Sequence, residues 1–209
     1  MTTNSGICLE QDGVVLADAF EAVNARLGVA GIRVWPVDLG EAPADVRRLL
    51  AKPTLTGPEA ERVRAHFLLP RARLLEVIAA AGRAPHLPDG GELDTWCWET
   101  ETAYPQLHVI DKSIDYSGFF PFHVNVADDG SGTDEVGHVL SGGPMRYRYR
   151  LATGDIVTLS LTCPRPEQGW LFTFDGGAPH GGILDDTEAG TKVLVQAIGP
   201  KRFHLRYVT

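Results

Sequence analysis

The chain has 209 residues and a formal net charge of −8, from 19 Lys and Arg against 27 Asp and Glu. This length predicts one domain that can bury a core, and the acidic balance argues against nucleic-acid binding, which needs basic residues to neutralise phosphates. No apolar run approaches the roughly 18 residues of a membrane span, the N-terminus lacks a signal-peptide pattern, and the three widely spaced cysteines indicate a cytoplasmic protein.

Residues 1–90 predict a mainly helical region. Leu16, Phe20, Val23 and Leu27 recur at helical spacing, and Gly28 follows as a helix stop. The other elements predicted in this region are a short strand at residues 31–35 and helices at residues 44–50, from residue 56 and at residues 70–81.

From residue 91 onward, alternation of apolar and polar residues replaces the helical spacing. In residues 120–126, Phe120, Phe122 and Val124 share one face of a predicted strand, whereas His123 and Asn125 share the other. The remaining predicted strands cover residues 96–98, 107–109, 145–151, 155–161, 170–174, 192–198 and 203–208. About eight short strands separated by Gly-rich turns predict an antiparallel jelly roll or barrel over residues 91–209, forming one compact domain with the helices.

The segment from Gly169 to His180 is the most specific pattern in the chain. An apolar strand runs into a Gly-rich turn, passes Gly177 and ends on a histidine. This resembles the second motif of the cupin superfamily, with Asp175 at the position where that family has Pro. It is also similar to the distal-histidine strand of the Fe(II)/2-oxoglutarate oxygenases. The resemblance implies their shared fold, a mainly β, cupin-like double-stranded β-helix, with the helical region packed on one face over Phe120, Phe122 and Val124.

The same resemblance implies a metal site. His123 and His180 match the two histidine positions and are the expected catalytic metal ligands. Asn125 stands where cupins have a second His and the oxygenases a carboxylate, and Asp129 stands near the acidic position of the cupin pattern. The remaining ligand stays open, and the other candidates are Asp128, His108 and His138.

A cosubstrate would need a cation beyond the distal histidine. Lys192 opens an apolar strand twelve residues after His180, and Arg202 lies on the next strand, with Arg206 as an alternative. These residues are the expected 2-oxoglutarate-binding residues, unless Lys192 is a solvated strand-end lysine. A second basic set alternates with tyrosines and either lines an anion cavity or faces solvent: Arg146, Arg148 and Arg150.

The leading hypothesis is a mononuclear non-haem Fe(II) oxygenase that uses 2-oxoglutarate to oxidise a small molecule. One alternative is a cupin enzyme with another divalent metal and no 2-oxoglutarate, acting as a direct dioxygenase, isomerase or lyase. Another is a metal-free barrel that binds a small ligand. A position of Lys192 outside the barrel favours the plain cupin. We expect no membrane partner, and pairing of edge strands would give a homodimer.

Overall fold

The computed structural model describes residues 5–87, 89 and 91–209. Residues 1–4, part of the segment in which a signal-peptide pattern was sought, and residue 90, the proposed region boundary, lie outside the described residues. Four α-helices are present in the described part: α1 (Phe20–Leu27), α2 (Ala44–Leu50), α3 (Gly57–Phe67) and α4 (Arg71–Ala80). No described helix is both long and apolar enough to cross a membrane.

Two facing sheets form the body of the molecule. The nine-stranded sheet has the order β2-β1-β10-β9-β12-β7-β14-β4-β5, and the five-stranded sheet has the order β3-β11-β8-β13-β6. The strands are β1 (Ile7–Gln11), β2 (Val14–Ala17), β3 (Arg33–Asp38), β4 (Thr95–Cys97), β5 (Thr102–Tyr104), β6 (Gln106–Val109), β7 (His123–Val126), β8 (Asp134–Ser141), β9 (Met145–Arg150), β10 (Ile156–Leu161), β11 (Gln168–Asp175), β12 (His180–Ile183), β13 (Lys192–Ile198) and β14 (Arg202–Tyr207).

The core lies between the sheets because alternate residues of each strand point inward. Trp170 and Phe172 of β11 pack with Val139 of β8 and Leu159 of β10, and all four are buried. This packing explains why alternation predicted most strands after residue 91. It did not predict β5, β8 or β12, and β8 is buried at nearly every residue.

The described part of the N-terminal region contributes three strands as well as helices, and only β3 matches a predicted strand, the one at residues 31–35. Leu16 belongs to β2 and not to the helix that begins at Phe20. The strand β1 pairs with β10, and β3 pairs with β11, so this region completes both sheets. Burial of Ile7 and Leu9 in the shared core stabilises this arrangement.

Helices α2, α3 and α4 cover the outer face of the five-stranded sheet. They pack on Leu140 and Leu194 through one apolar cluster and on Val136 and Ile198 through another. The predicted helical cover over Phe120, Phe122 and Val124 is therefore wrong.

Arginines of β9 cover those phenylalanines instead. The Arg148 guanidinium lies 4.1 Å from the Phe120 ring centre and 4.7 Å from that of Phe122, and Arg150 lies 4.9 Å from Phe122. The arginines of this strand thus face outward and do not line an anion cavity. Cation–π contact replaces helix packing on this face.

Candidate metal centre

Two buried histidines face each other inside the barrel. The strands β7 and β12 pair antiparallel with His123 directly opposite His180, and their ring centres are 4.4 Å apart. Strand alternation also turns Asn125 inward, and all three side chains are buried. The structure therefore brings together three of the four predicted metal-site residues.

Backbone carbonyls fix the tautomer of both histidines. Nδ1 of His123 lies 3.0 Å from the carbonyl oxygen of Pro121, and Nδ1 of His180 lies 2.8 Å from that of Ala178. A carbonyl oxygen only accepts, so each Nδ1 must carry the proton and donate it. Each neutral ring then presents an unprotonated Nε2, which is the usual arrangement for a metal-ligating histidine.

The two rings are neutral at pH 7. Burial, with repulsion from His180 as a smaller cause, lowers the pKa of His123 to about 4, and burial lowers the pKa of His180 to about 4. A metal binds an imidazole nitrogen that carries no proton. Because both rings are neutral and carry their proton on Nδ1, each Nε2 can bind a metal at neutral pH without first releasing a proton.

Glu135 is a site residue that the sequence analysis missed. It lies on β8, and its Oε1 is 3.9 Å from Nε2 of His180 and accepts a 2.6 Å hydrogen bond from Nδ2 of Asn125. Burial raises the pKa of its carboxyl group. The only available signal was a pair of acidic residues, Asp134 and Glu135, opening an apolar stretch, and such a pair is usually solvated.

The nitrogen and oxygen atoms at this site are of the kind that bind a divalent transition metal. Oδ1 of Asn125 is buried and has no hydrogen-bond partner, which leaves one orphaned acceptor beside the two Nε2 atoms. In the described part of the chain, no group of three His, Cys, Asp or Glu is arranged to hold a metal ion unaided. Two imidazoles and the amide oxygen of Asn125 are the groups that would hold it, with the Glu135 carboxylate hydrogen-bonded to that amide.

Asp129 is not part of this site, contrary to the prediction. It is exposed in the turn after β7, where its carboxylate accepts a 2.9 Å hydrogen bond from the backbone N–H of Ser131. Asp128 is also exposed and lies 3.2 Å from Nε2 of His204. The chain turns back after Val126, so the acidic residues that follow it point to solvent.

Lys192 is buried, but on the helix side of the sheet. Its Nζ donates to the carbonyl oxygens of Leu50, Lys52 and Gly190, at 3.1, 2.5 and 2.9 Å. The following residue of β13, Val193, points inward and lines the cavity. The expectation that Lys192 binds 2-oxoglutarate is therefore wrong, because strand alternation turns it away from the barrel interior.

Arg202 also lies away from the cavity. It is exposed, and its guanidinium lies 4.7 Å from the centre of the Trp98 ring. Arg206 is likewise exposed, beside Asp128. The two histidines considered as alternative nitrogen ligands lie in different places. His108 lines the cavity, whereas His138 faces the helices, with its ring centre 6.2 Å from that of Phe67.

The turn that carries His180 is held from outside by a hydrogen-bonded pair, Asp175 and His86. Asp175 accepts a 2.8 Å hydrogen bond from the backbone N–H of Gly177 and lies 2.6 Å from Nε2 of His86. The bond to Asp175 raises the pKa of His86. Asp175, at the position where cupins have Pro, thus organises the turn by hydrogen bonding.

A cavity opens in front of the histidine pair. Its volume is about 120 Å³, and residues of both sheets line it. Most of the lining is apolar or aromatic, and the aromatic members are Tyr104, Tyr116, Phe119, Tyr147, Phe174 and Phe203.

Comparison with known proteins identifies a fold relative. No protein-family model matches the chain, and no curated protein matches it. The chain superposes on acireductone dioxygenase from Bacillus anthracis, solved with a cadmium ion in its active centre, with a TM-score of 0.54 and 15% identity over 92% of this chain and 91% of that one. At this identity the similarity shows the fold alone. The predicted mainly β, cupin-like fold is confirmed.

Proposed function

We propose that this protein is a cupin-type dioxygenase that holds a divalent metal between His123 and His180 and oxidises a small molecule without 2-oxoglutarate. The observation that carries the proposal is the pair of buried imidazoles whose Nδ1 protons are tied to carbonyl oxygens and whose Nε2 atoms are free. We infer a redox-active metal such as iron, because Zn²⁺ has no redox chemistry to offer O₂.

Each residue of the site has a distinct role in this proposal. The Nε2 atoms of His123 and His180 and the Oδ1 atom of Asn125 would hold the metal, which when bound supplies the binding and reductive activation of O₂. Glu135 orients the Asn125 amide through their 2.6 Å hydrogen bond. Its carboxylate would also accept a proton from a substrate hydroxyl and hold it at Oε1. The aromatic walls exclude water from the reacting groups.

Two observations support a dioxygenase reaction without 2-oxoglutarate. They are the fold similarity and the lack of Lys and Arg among the described residues that line the cavity. The relative is named as a dioxygenase with a metal ion in its active centre. Lys192 and Arg202, which were expected to bind 2-oxoglutarate, lie outside the cavity. The described residues that line the cavity include no Lys or Arg to pair with the distal carboxylate of 2-oxoglutarate.

Anaerobic addition of Fe(II), followed by nitric oxide as an O₂ surrogate, tests this function. Electron paramagnetic resonance of the wild type should show a ferrous–nitrosyl signal at one equivalent of iron. His123→Ala and His180→Ala should lose that signal while remaining folded by circular dichroism, and the surface variant His66→Ala should keep it. Equal signals in all four proteins would contradict the assignment. Added 2-oxoglutarate should produce no visible charge-transfer band, and such a band would restore the 2-oxoglutarate hypothesis.

A metal-free binding barrel is the second candidate. One observation favours it, namely that no three His, Cys, Asp or Glu of the described residues form a metal-holding group. The same titration separates the two functions, because a wild type that binds no iron, manganese, nickel or zinc would leave ligand binding as the function of the cavity.

A further inference from the structure

The walls of the cavity favour a planar apolar ligand. Aromatic side chains come from both sheets, with Phe174 on the five-stranded sheet and Tyr147 and Phe203 on the nine-stranded sheet. Met145, Val193 and Val195 fill the spaces between these rings. Rings on opposing walls bind a flat aromatic ligand through stacked and edge contacts in addition to area burial.

The charges of the cavity disfavour an anion away from the metal end. Glu135 is the only acidic residue, and no Lys or Arg occurs, among the described residues that line it. Lys112 is close to the lining residue Leu184, but its ammonium donates to the carbonyl oxygens of Leu184 and Asp185 at 3.2 and 2.6 Å. A carboxylate or phosphate in this cavity would lose its hydration without gaining a cationic partner.

His108 supplies one hydrogen-bonding group on the wall. It lies on β6 opposite Val193, and its imidazole has no hydrogen-bond partner among the described residues. Burial lowers its pKa to about 4, so the ring is neutral at pH 7 and offers one donor and one acceptor.

Tyr104 supplies a second such group from β5. Its phenol lines the cavity and also has no hydrogen-bond partner among the described residues. Burial raises its pKa above the ordinary value, so the hydroxyl keeps its proton and can donate it. A neutral imidazole and a phenol suit a neutral oxygen group better than a carboxylate.

The strand register places His108 away from the metal end. His108 is level with Val193 of β13, whereas Glu135 is level with Ala197. Four residues of strand span roughly 13 Å. That length sets the upper size of a molecule that contacts both ends of the cavity, and one or two fused rings fit within it.

Building on the proposed function, we infer that the substrate is an uncharged small molecule with an aromatic body, and that His108 binds a hydroxyl or carbonyl oxygen at the end of the molecule remote from His123 and His180. Tyr104 lies within electrostatic reach of Glu135 and supplies a second neutral hydrogen-bonding group, nearer the metal end. Both residues then determine specificity and are not catalytic residues.

Probe binding to the metal-free protein tests the inference independently of turnover. Calorimetry should show 2-naphthol binding at least about tenfold more tightly than 2-naphthoate, since only the anion is left without a partner. His108→Leu should weaken 2-naphthol binding by about fivefold, which corresponds to one hydrogen bond. This variant should not change binding of naphthalene, and the exposed control His66→Leu should change binding of neither probe.

A gain-of-function variant covers the case in which His108→Leu misfolds. Val195→Lys puts a cation on the cavity wall and should reverse the preference in favour of 2-naphthoate. Equal binding of the two probes by the wild type, or no binding of 2-naphthol, would overturn the inference. The nitrosyl signal from the same preparation separates the two proposals, because a positive signal without naphthol binding removes only the substrate class. Naphthol binding without iron binding removes only the oxygenase.

Discussion

The tautomers of His123 and His180 depend on two carbonyl oxygens, each two residues earlier in the chain. This local geometry directs Nδ1 to the backbone and leaves Nε2 for a metal. Sequence spacing identified the two histidines, because strand alternation and a Gly-rich turn are local signals. It did not identify Glu135, since that carboxylate reaches the site from β8 of the opposite sheet.

Removal of the Glu135 charge should weaken metal binding. Glu135→Gln keeps the size of the side chain but removes the carboxylate next to His180 and Asn125. We expect a roughly 10- to 100-fold loss of Fe(II) or Zn²⁺ affinity, as for other groups that support metal ligands. Competitive titration with a chelating dye measures this change. Glu61→Gln on the exposed face of α3 is the control, and unchanged affinity in Glu135→Gln would exclude the proposed role.

His138 should make the protein less stable in acid. Burial lowers its folded-state pKa to about 4, below the ordinary value of 6.5. The unfolded chain therefore binds more protons between these values, and stability that is present above pH 6.5 is lost as the pH falls toward 4. The share of His138 is about 2 kcal/mol between pH 7 and pH 5.

Urea denaturation of His138→Leu at the two pH values measures that share. The variant should lose about 2 kcal/mol less than the wild type on acidification. The exposed His66→Leu should behave like the wild type. An equal acid-induced loss in His138→Leu and the wild type would show that His138 does not titrate in this range.

At the scale of elements, the turn between β11 and β12 determines where His180 points. Asp175 links the turn to His86 and to the Gly177 N–H. Close packing at Gly181 also fixes the position of β12 next to His180. An added Cβ at this glycine would lie 2.8 Å from the carbonyl oxygen of Phe120. The cupin-like pattern in the sequence predicted this turn, but its tether to His86 could not be predicted, because the two residues are 89 positions apart.

Asp175→Asn tests the tether. The variant loses the charge that pairs with His86, so we expect a loss of about 1–2 kcal/mol of stability and a several-fold loss of metal affinity. The matched control is Asp129→Asn, which alters an exposed turn of similar hydrogen bonding on the other side of the site. If both variants have the same metal affinity as the wild type, the tether does not position His180.

At the scale of the whole molecule, the two sheets and their helical cover combine local and long-range information. Alternation of residues predicted most of the strands after residue 91 and the cupin-like fold. It could not predict that β1 and β3 would complete the two sheets, because pairing partners are set by distant residues such as Leu161 and Phe172. Lys192 was misplaced for a related reason, since its three acceptors lie on α2, on the loop after it and on the loop before β13.

Lys192→Met should destabilise the molecule without emptying the metal site. The substitution removes the donor from three carbonyl oxygens, one in a buried bond and two in part-buried bonds, and we expect a loss of about 2–3 kcal/mol in the free energy of unfolding. Chemical denaturation measures the loss, and metal titration should be unchanged. The exposed Lys201→Met is the control. A stable variant that loses metal or cosubstrate binding would instead place Lys192 in the functional site.

Anomalous diffraction from a crystal soaked with Fe(II) or Zn²⁺ tests the central claim most directly. The account predicts one strong peak at roughly 2.0–2.2 Å from Nε2 of both His123 and His180. It also predicts that the oxygen of Asn125 or Glu135 is the next protein atom in contact with that peak. No peak between the two histidines, or a peak only at surface residues such as Asp129, would contradict it.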